Sequence, residues 1–332
     1  MHILQTSNLR TFSAWSQLAK GADTMRFFAV FFLVVGCAAG PETHAPVVAA
    51  PDNPDTEIFV GSIAFADGAP SISALDNATD RKGYDNQPYF LAGEAAFFYV
   101  AEGESGKTDI RLFDIARGAS QPVFTSSEMS EYSPKEAPMG GLSYIQENPE
   151  GDVTRVHRRA LDGDDAGAAV VDFAPLGYYA WLDGGAALGV YYRSDPGSLY
   201  RVDVASGEAS LVREKIGRTL QSDSAGGHLW FSELPDAEDG ALSVARYDSA
   251  GGALTRLFDL PDGATDFFIV ADQNGAALGC LAGSGAKAYW RAADGAAWTV
   301  VADLESLGAA AISRIAVSDD RRWIAIVAEM RN

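Results

Sequence analysis

The chain is short of the residues that most often carry chemistry. It has 2 cysteines and 4 histidines in 332 residues, so no disulfide framework is implied. Only His157 and His228 fall in the folded region, and two scattered histidines do not supply a histidine-rich metal centre. A G-x-S-x-G nucleophile elbow is absent, which argues against a serine hydrolase. Positive charge is also scarce: 25 Lys and Arg face 45 Asp and Glu, a formal charge of −20. Non-specific attraction to nucleic acid or to an anionic membrane surface is therefore opposed, and cationic segments, metal ions or neutral ligands are easier partners. The apolar run from Phe27 to Val35 is too short to span a bilayer. Glycine, in contrast, is plentiful at 34, and it falls in short turn clusters rather than in one tract.

At the N-terminus, Met25-Arg26 precede that apolar run, and Val34-Val35-Gly36-Cys37 closes it. A charged pair followed by a short apolar segment is the pattern of a signal peptide. The tetrad resembles the bacterial lipobox, in which the Cys receives the lipid. The resemblance implies a signal peptide over 1–36, with Met25 as an alternative start, and acylation of Cys37 as the one link to a membrane. Ala38, where sorting rules for such lipoproteins weigh an Asp, favours the outer membrane. Pro41, Pro46, Pro51 and Pro54 follow without any apolar period, so 37–56 reads as an extended tether and 57–332 as the folded domain. Cys280, in AALGCLAG, reads as a packing residue.

The folded region repeats itself. YDNQPYFLAGEAAFFYV from Tyr84, SEYSPKEAPMGGLSYIQ from Ser130, LGYYAWLDGGAALGVYY from Leu176, IGRTLQSDSAGGHLWFS from Ile216, TDFFIVADQNGAALGCL from Thr265 and AISRIAVSDDRRWIAIVA from Ala311 share one plan. Each has a polar or aromatic head, a short strand, a Gly- or Asp-bearing turn and an apolar strand. Starts recur at roughly 40 to 50 residues, the period of propeller blades. Between heads lies a second hairpin, as in TDIRLFDIARGASQPVF or SLYRVDVASGEASLVR. The last head has no hairpin after it, and Glu57 to Asn77 is a hairpin with no head before it. The two orphans predict an all-β, six-bladed β-propeller of four-stranded antiparallel blades, its last blade closed by N- and C-terminal strands.

These residues resemble the TolB-like propeller repeat (WD40-like, or PD40) over nearly all of Glu57 to Ala328. YDNQP and SEYSP are the closest matches, whereas the SPDG-like turn is degraded to LAGEA, APMGG, LDGGA and SAGGH. The resemblance implies a binding or scaffold protein of the bacterial envelope, facing the periplasm or the cell surface, with an envelope protein as partner. It implies no cofactor. The chain also ends where propeller-bearing peptidases would continue into a hydrolase domain.

Since first strands line a propeller's channel, the heads predict a site at the mouth where those strands begin. Asp85, Asn86, Glu131, Tyr132, Tyr179, Trp181, Arg218, Gln221, Asp266 and Arg314 are the candidates, a mixture suited to a small polar ligand, a cation or a peptide segment. A second reading makes Asp85, Glu131 or Asp266 the acid and base of an enzyme acting on carbohydrate or peptide. Tyr84, Tyr89, Phe97 and Tyr99 read as packing between blades. LDGDDAG, with Asp162, Asp164 and Asp165, has the carboxylates of a calcium loop but no distal Glu, and reads as a solvated turn.

Overall fold

Short apolar stretches separated by glycine turns cannot bury both faces alone, so they pair into sheets and the sheets stack side by side. The computed structural model describes residues 53–124, 128–161, 165–237, 240–272, 275–295 and 297–331. The leader, Cys37 and the tether up to residue 52 lie outside the described residues, as do Asp162 and Asp164.

Six four-stranded antiparallel sheets form the blades. Blade 1 comprises Asp85–Phe90, Ala96–Glu102, Thr108–Asp114 and Ala119–Pro122. Blade 2 comprises Ser130–Glu136, Leu142–Glu147, Thr154–Arg159 and Ala168–Ala169. Blade 3 runs through Leu176–Leu182, Ala187–Tyr192, Ser198–Asp203 and Ala209–Glu214. Blade 4 takes Ile216–Ser222, His228–Glu233, Ser243–Asp248 and Leu254–Asp259. Blade 5 takes Phe267–Ala271, Ala277–Ser284, Lys287–Ala292 and Thr299–Asp303. Blade 6 joins the C-terminal Ala309–Val317 and Trp323–Met330 to the N-terminal Thr56–Ala66 and Ala69–Asn77. Its ladder runs from Thr56 opposite Glu329 to Ser62 opposite Trp323, so the six-bladed propeller expected from the repeat, its last blade closed by strands from both ends, is the one observed.

Position within a blade follows from composition. The second strand of blade 1, AFFYVAE, is buried along almost its whole length, whereas its fourth strand, ASQP, is exposed throughout. Each junction between neighbouring blades holds an apolar cluster, and the six clusters account for the full ring. Phe97, Tyr99 and Phe113 of blade 1 meet Ile58, Val60 and Val327 of blade 6. Cys280 joins Trp230 and Val244 at the junction of blades 4 and 5, where burial pushes its thiol pKa well up. Its role there is packing. At about 1.5–3 kcal/mol per large buried side chain, these junctions are what holds the ring closed.

The ladder between the first and second strands of every blade is interrupted: on the inner strand between Asn86 and Tyr89, Tyr132 and Lys135, Leu176 and Tyr178, Ile216 and Leu220, and Ile312 and Arg314, and in blade 5 on the second strand, between Ala277 and Gly279. A bulge turns the side chains that follow it to the other face. Among the described residues, no helix is long and apolar enough to cross a membrane.

Candidate functional site

The six inner strands enclose a cavity of about 440 Å³ that reaches the turns joining first and second strands. Arg218, Arg314, Tyr178 and Gln87, toward the strand starts, form its floor. Lys135, Tyr89, Tyr179, Trp181 and Gln221 form its walls, and the exposed turn residues Ala92, Pro138, Gly184, Ser224 and Asp319 its rim. On the far side of the floor, over the strand starts of blades 1 to 3, Tyr84, Tyr132, Gly177, Tyr191 and Arg193 line a separate recess. Gln87 and Tyr178 border both spaces. The deep cavity therefore opens at the turn end of the channel, opposite to the end where the heads begin.

The predicted site residues divide accordingly. Asp85 is fully buried at the junction of blades 1 and 6, where Arg81 donates from Nε at 3.1 Å and from Nη2 at 2.7 Å. Loss of water raises its pKa to about 6, against the pull of that guanidinium. The Asn86 Oδ1 accepts the Gln87 N–H at 2.8 Å. Glu131 is buried, and its backbone carbonyl accepts the Thr108 hydroxyl at 3.1 Å. Asp85, Asn86 and Glu131 line neither space, and Tyr132 lines only the recess.

The other six candidates surround the cavity. The Tyr179 hydroxyl and the Trp181 Nε1–H both donate to the Ser143 Oγ, at 2.8 and 2.9 Å, which fixes two aromatic walls to the neighbouring blade. The amide of Gln221 accepts the Ile269 N–H at 2.7 Å and donates to the Ile269 carbonyl at 2.9 Å, tying blade 4 to blade 5. Asp266 accepts the Thr219 hydroxyl at 2.5 Å. Arg218 crosses from blade 4, its Nη2 donating to the Ser313 carbonyl at 3.1 Å and to the Thr265 hydroxyl at 3.2 Å. Arg314 reaches from blade 6 over the Tyr178 ring, 5.4 Å from its centroid.

Sequence reasoning missed Lys135, Gln87, Tyr89 and Tyr178. The Lys135 Nζ stands 5.4 Å from the Tyr89 ring centroid and 5.8 Å from that of Tyr179. Burial, and then the neighbouring Arg314 charge, bring its pKa down to about 8, with Asp266 opposing. The Gln87 Oε1 receives the Ser133 N–H and, at 3.3 Å, the Ser133 hydroxyl. Both residues have positive φ, 58° and 53°, and both precede a proline. That combination costs about 1–3 kcal/mol per residue and persists only where the surroundings impose it. Tyr89, read as packing, does pack against the cluster between blades 1 and 2 and also lines the cavity; Tyr84 lines the recess, and Phe97 and Tyr99 pack between blades. Proline inside a strand was the available signal, because it demands a bulge and so reverses which side chains point inward.

The histidines stand apart from the channel. His157 is on the third strand of blade 2 beside the Tyr144 ring, and its pKa is lowered by burial and then by Arg155. His228, on the second strand of blade 4, meets the Asp223 Oδ2 through Nδ1 at 2.8 Å. Among the described residues, no group of three or more His, Cys, Asp or Glu side chains could hold a metal ion.

No protein-family model and no curated protein matches the chain. Solved structures do resemble it. A TolB-type protein from Agrobacterium tumefaciens superposes with a TM-score of 0.62 at 14% identity, over 84% of this chain and 100% of that one. TolB from Acinetobacter baumannii gives 0.53 at 13% identity, over 83% of this chain and 64% of that one. An oligogalacturonate lyase in complex with manganese gives 0.50 at 11% identity, covering 78% and 80%. At such identities the likeness is one of fold, and propellers of this fold host binders and enzymes alike.

Proposed function

We propose that this protein is a non-catalytic binding module of a bacterial cell envelope, tethered through an acylated Cys37 and the Pro-rich segment that follows, which receives a small polar ligand or a protein segment in its channel. The observation that carries the reading is the cavity of about 440 Å³ with polar side chains from several blades on its floor and walls. Its aromatic walls and Gln221 are held by cross-blade hydrogen bonds, so the cavity is organised before any ligand arrives. The fold shared with TolB-type proteins is consistent with this role. A catalytic carboxylate pair has less support. Of the three acids weighed, only Asp266 reaches the cavity, and Thr219 already engages it.

Crosslinking and pull-down from native envelopes test the binding role, with a captured partner or ligand as the expected result. Turnover of a carbohydrate or peptide that Asp266→Asn abolishes would replace it with the enzyme reading. The anchor is tested separately: Cys37→Ala should leave the membrane fraction in a high-salt wash, and retention there would refute acylation.

A further inference from the structure

We propose that the floor of the channel is an anion-binding site, in which Arg218, Arg314 and Lys135 hold the carboxylate or phosphate group of a small ligand whose ring or apolar body rests against Tyr89, Tyr179 and Trp181. This rests on the channel being the binding site, and it inverts the expectation from net charge. A chain at −20 gathers three cations from blades 4, 6 and 2 around one cavity.

The partners of those cations are incomplete. The Nε atoms of Arg218 and Arg314 are buried without a hydrogen-bond partner, and buried donors of this kind nearly always have one. Arg218 is pinned by its Nη2 bonds to Thr265 and Ser313, and Arg314 is braced on the Tyr178 ring, so neither guanidinium is free to turn away. Asp266 is the carboxylate of the floor, and one of its oxygens is occupied by the Thr219 hydroxyl. Lys135 lies against two aromatic rings, and no ion pair to it occurs among the described residues. Toward the rim, Glu136 accepts the Ala92 N–H at 2.9 Å, Asp223 accepts from Gly227 and His228, and Asp319 stands at the turn. Acids at the mouth and cations at the base suit a ligand with one anionic end pointing inward.

Lys135 also gives the site a pH dependence. The groups facing it are Tyr89 of blade 1, Tyr179 of blade 3, Arg314 of blade 6 and Asp266 ahead of the blade 5 inner strand. Its ammonium loses a proton near pH 8 in the unliganded protein, so anion affinity should fall as pH rises through 8 and beyond.

The test is calorimetric titration of the full chain at constant ionic strength with three probes on one ring: benzoate, phenyl phosphate and neutral benzamide. Binding of at least one anion, with benzamide inert, is expected, and the stronger anion identifies the headgroup. Arg218→Gln and Arg314→Gln should each weaken it about tenfold or more, and Lys135→Met should weaken it and flatten the profile between about pH 7 and 9. Thermal melts check that each variant folds. If an arginine variant does not, the wild-type pH profile and Lys135→Met still decide. Benzamide binding as well as benzoate, neither anion binding, or anion affinity unchanged in the folded variants would overturn the assignment. A protein that fails here yet captures its envelope partner would retain the binding role and lose only the anion site.

Discussion

The two ends of the channel are built from the same six strands and are organised in opposite ways. Where the strands begin, polar side chains satisfy one another: Asp85 is taken by Arg81, Asn86 caps the chain at Gln87, and Thr56 bonds to the Asp85 carbonyl. Within the channel, Lys135, Arg218 and Arg314 line the cavity, and the Nε atoms of the two arginines are buried without a hydrogen-bond partner. Polar side chains at the starts of blades 1 and 2 serve ring closure, whereas Lys135, Arg218, Asp266 and Arg314 line the cavity. Each end keeps buried atoms without a hydrogen-bond partner, Asp85 Oδ2 at the first and the Nε atoms of Arg218 and Arg314 at the second, but only at the second do they belong to side chains that line a cavity.

Arg81, at the strand starts, offers the strongest perturbation. Arg81→Met leaves the Asp85 carboxylate buried without its ion pair and should destabilise by about 3 kcal/mol in urea unfolding. Asp85 also has a pH signature. Its pKa is raised in the folded state, so the native protein holds that proton more tightly than the unfolded chain does. Its contribution is complete below about pH 4 and lost as pH rises to about 6, and Asp85→Asn should remove that slope.

At the open end, Gly226→Ala should cost about 2 kcal/mol or more. Its φ is +70°, and an added Cβ would lie 2.7 Å from the Asp183 backbone nitrogen in the next blade. Ser143→Ala removes the acceptor shared by Tyr179 and Trp181, with an expected loss of about 2 kcal/mol. Tryptophan fluorescence should shift as the wall loosens.

The smallest effect sharpens the contrast. Lys135→Met removes a poorly solvated charge and should be neutral, or stabilising by up to about 1 kcal/mol, without ligand at pH 7. In the wild type, stability should rise between about pH 8 and 10.5 as that lysine deprotonates, because the unfolded chain keeps the proton to higher pH. A destabilising Lys135→Met would mean that the lysine serves the fold and not a ligand.

Much of the architecture was legible because it depends on local chemistry. Gly93, Gly140 and Gly184 mark first turns with positive φ, and apolar stretches such as Phe97 to Val100 can only be central strands. The orphan hairpin at Glu57 and the orphan head at Ile312 announced blade 6 because unpaired strands must find partners. The candidate site was legible only in part. Tyr179, Trp181, Arg218, Gln221, Asp266 and Arg314 do surround the cavity, but Lys135, three residues past Tyr132 in the same head, was passed over. Its direction depends on the bulge between them, which reverses the alternation that strand reading assumes.

Six repeats, their four-strand plan and the pairing of the two ends follow from the amino-acid order alone, since strand period, turn residues and burial are set by neighbours along the chain. Only across the ring is it settled which side chains meet in the channel, and that a strongly acidic chain lines its cavity with two arginines and a lysine. Those outcomes depend on how residues from Arg81 to Arg314 meet across the ring, where distance in sequence carries no record of proximity.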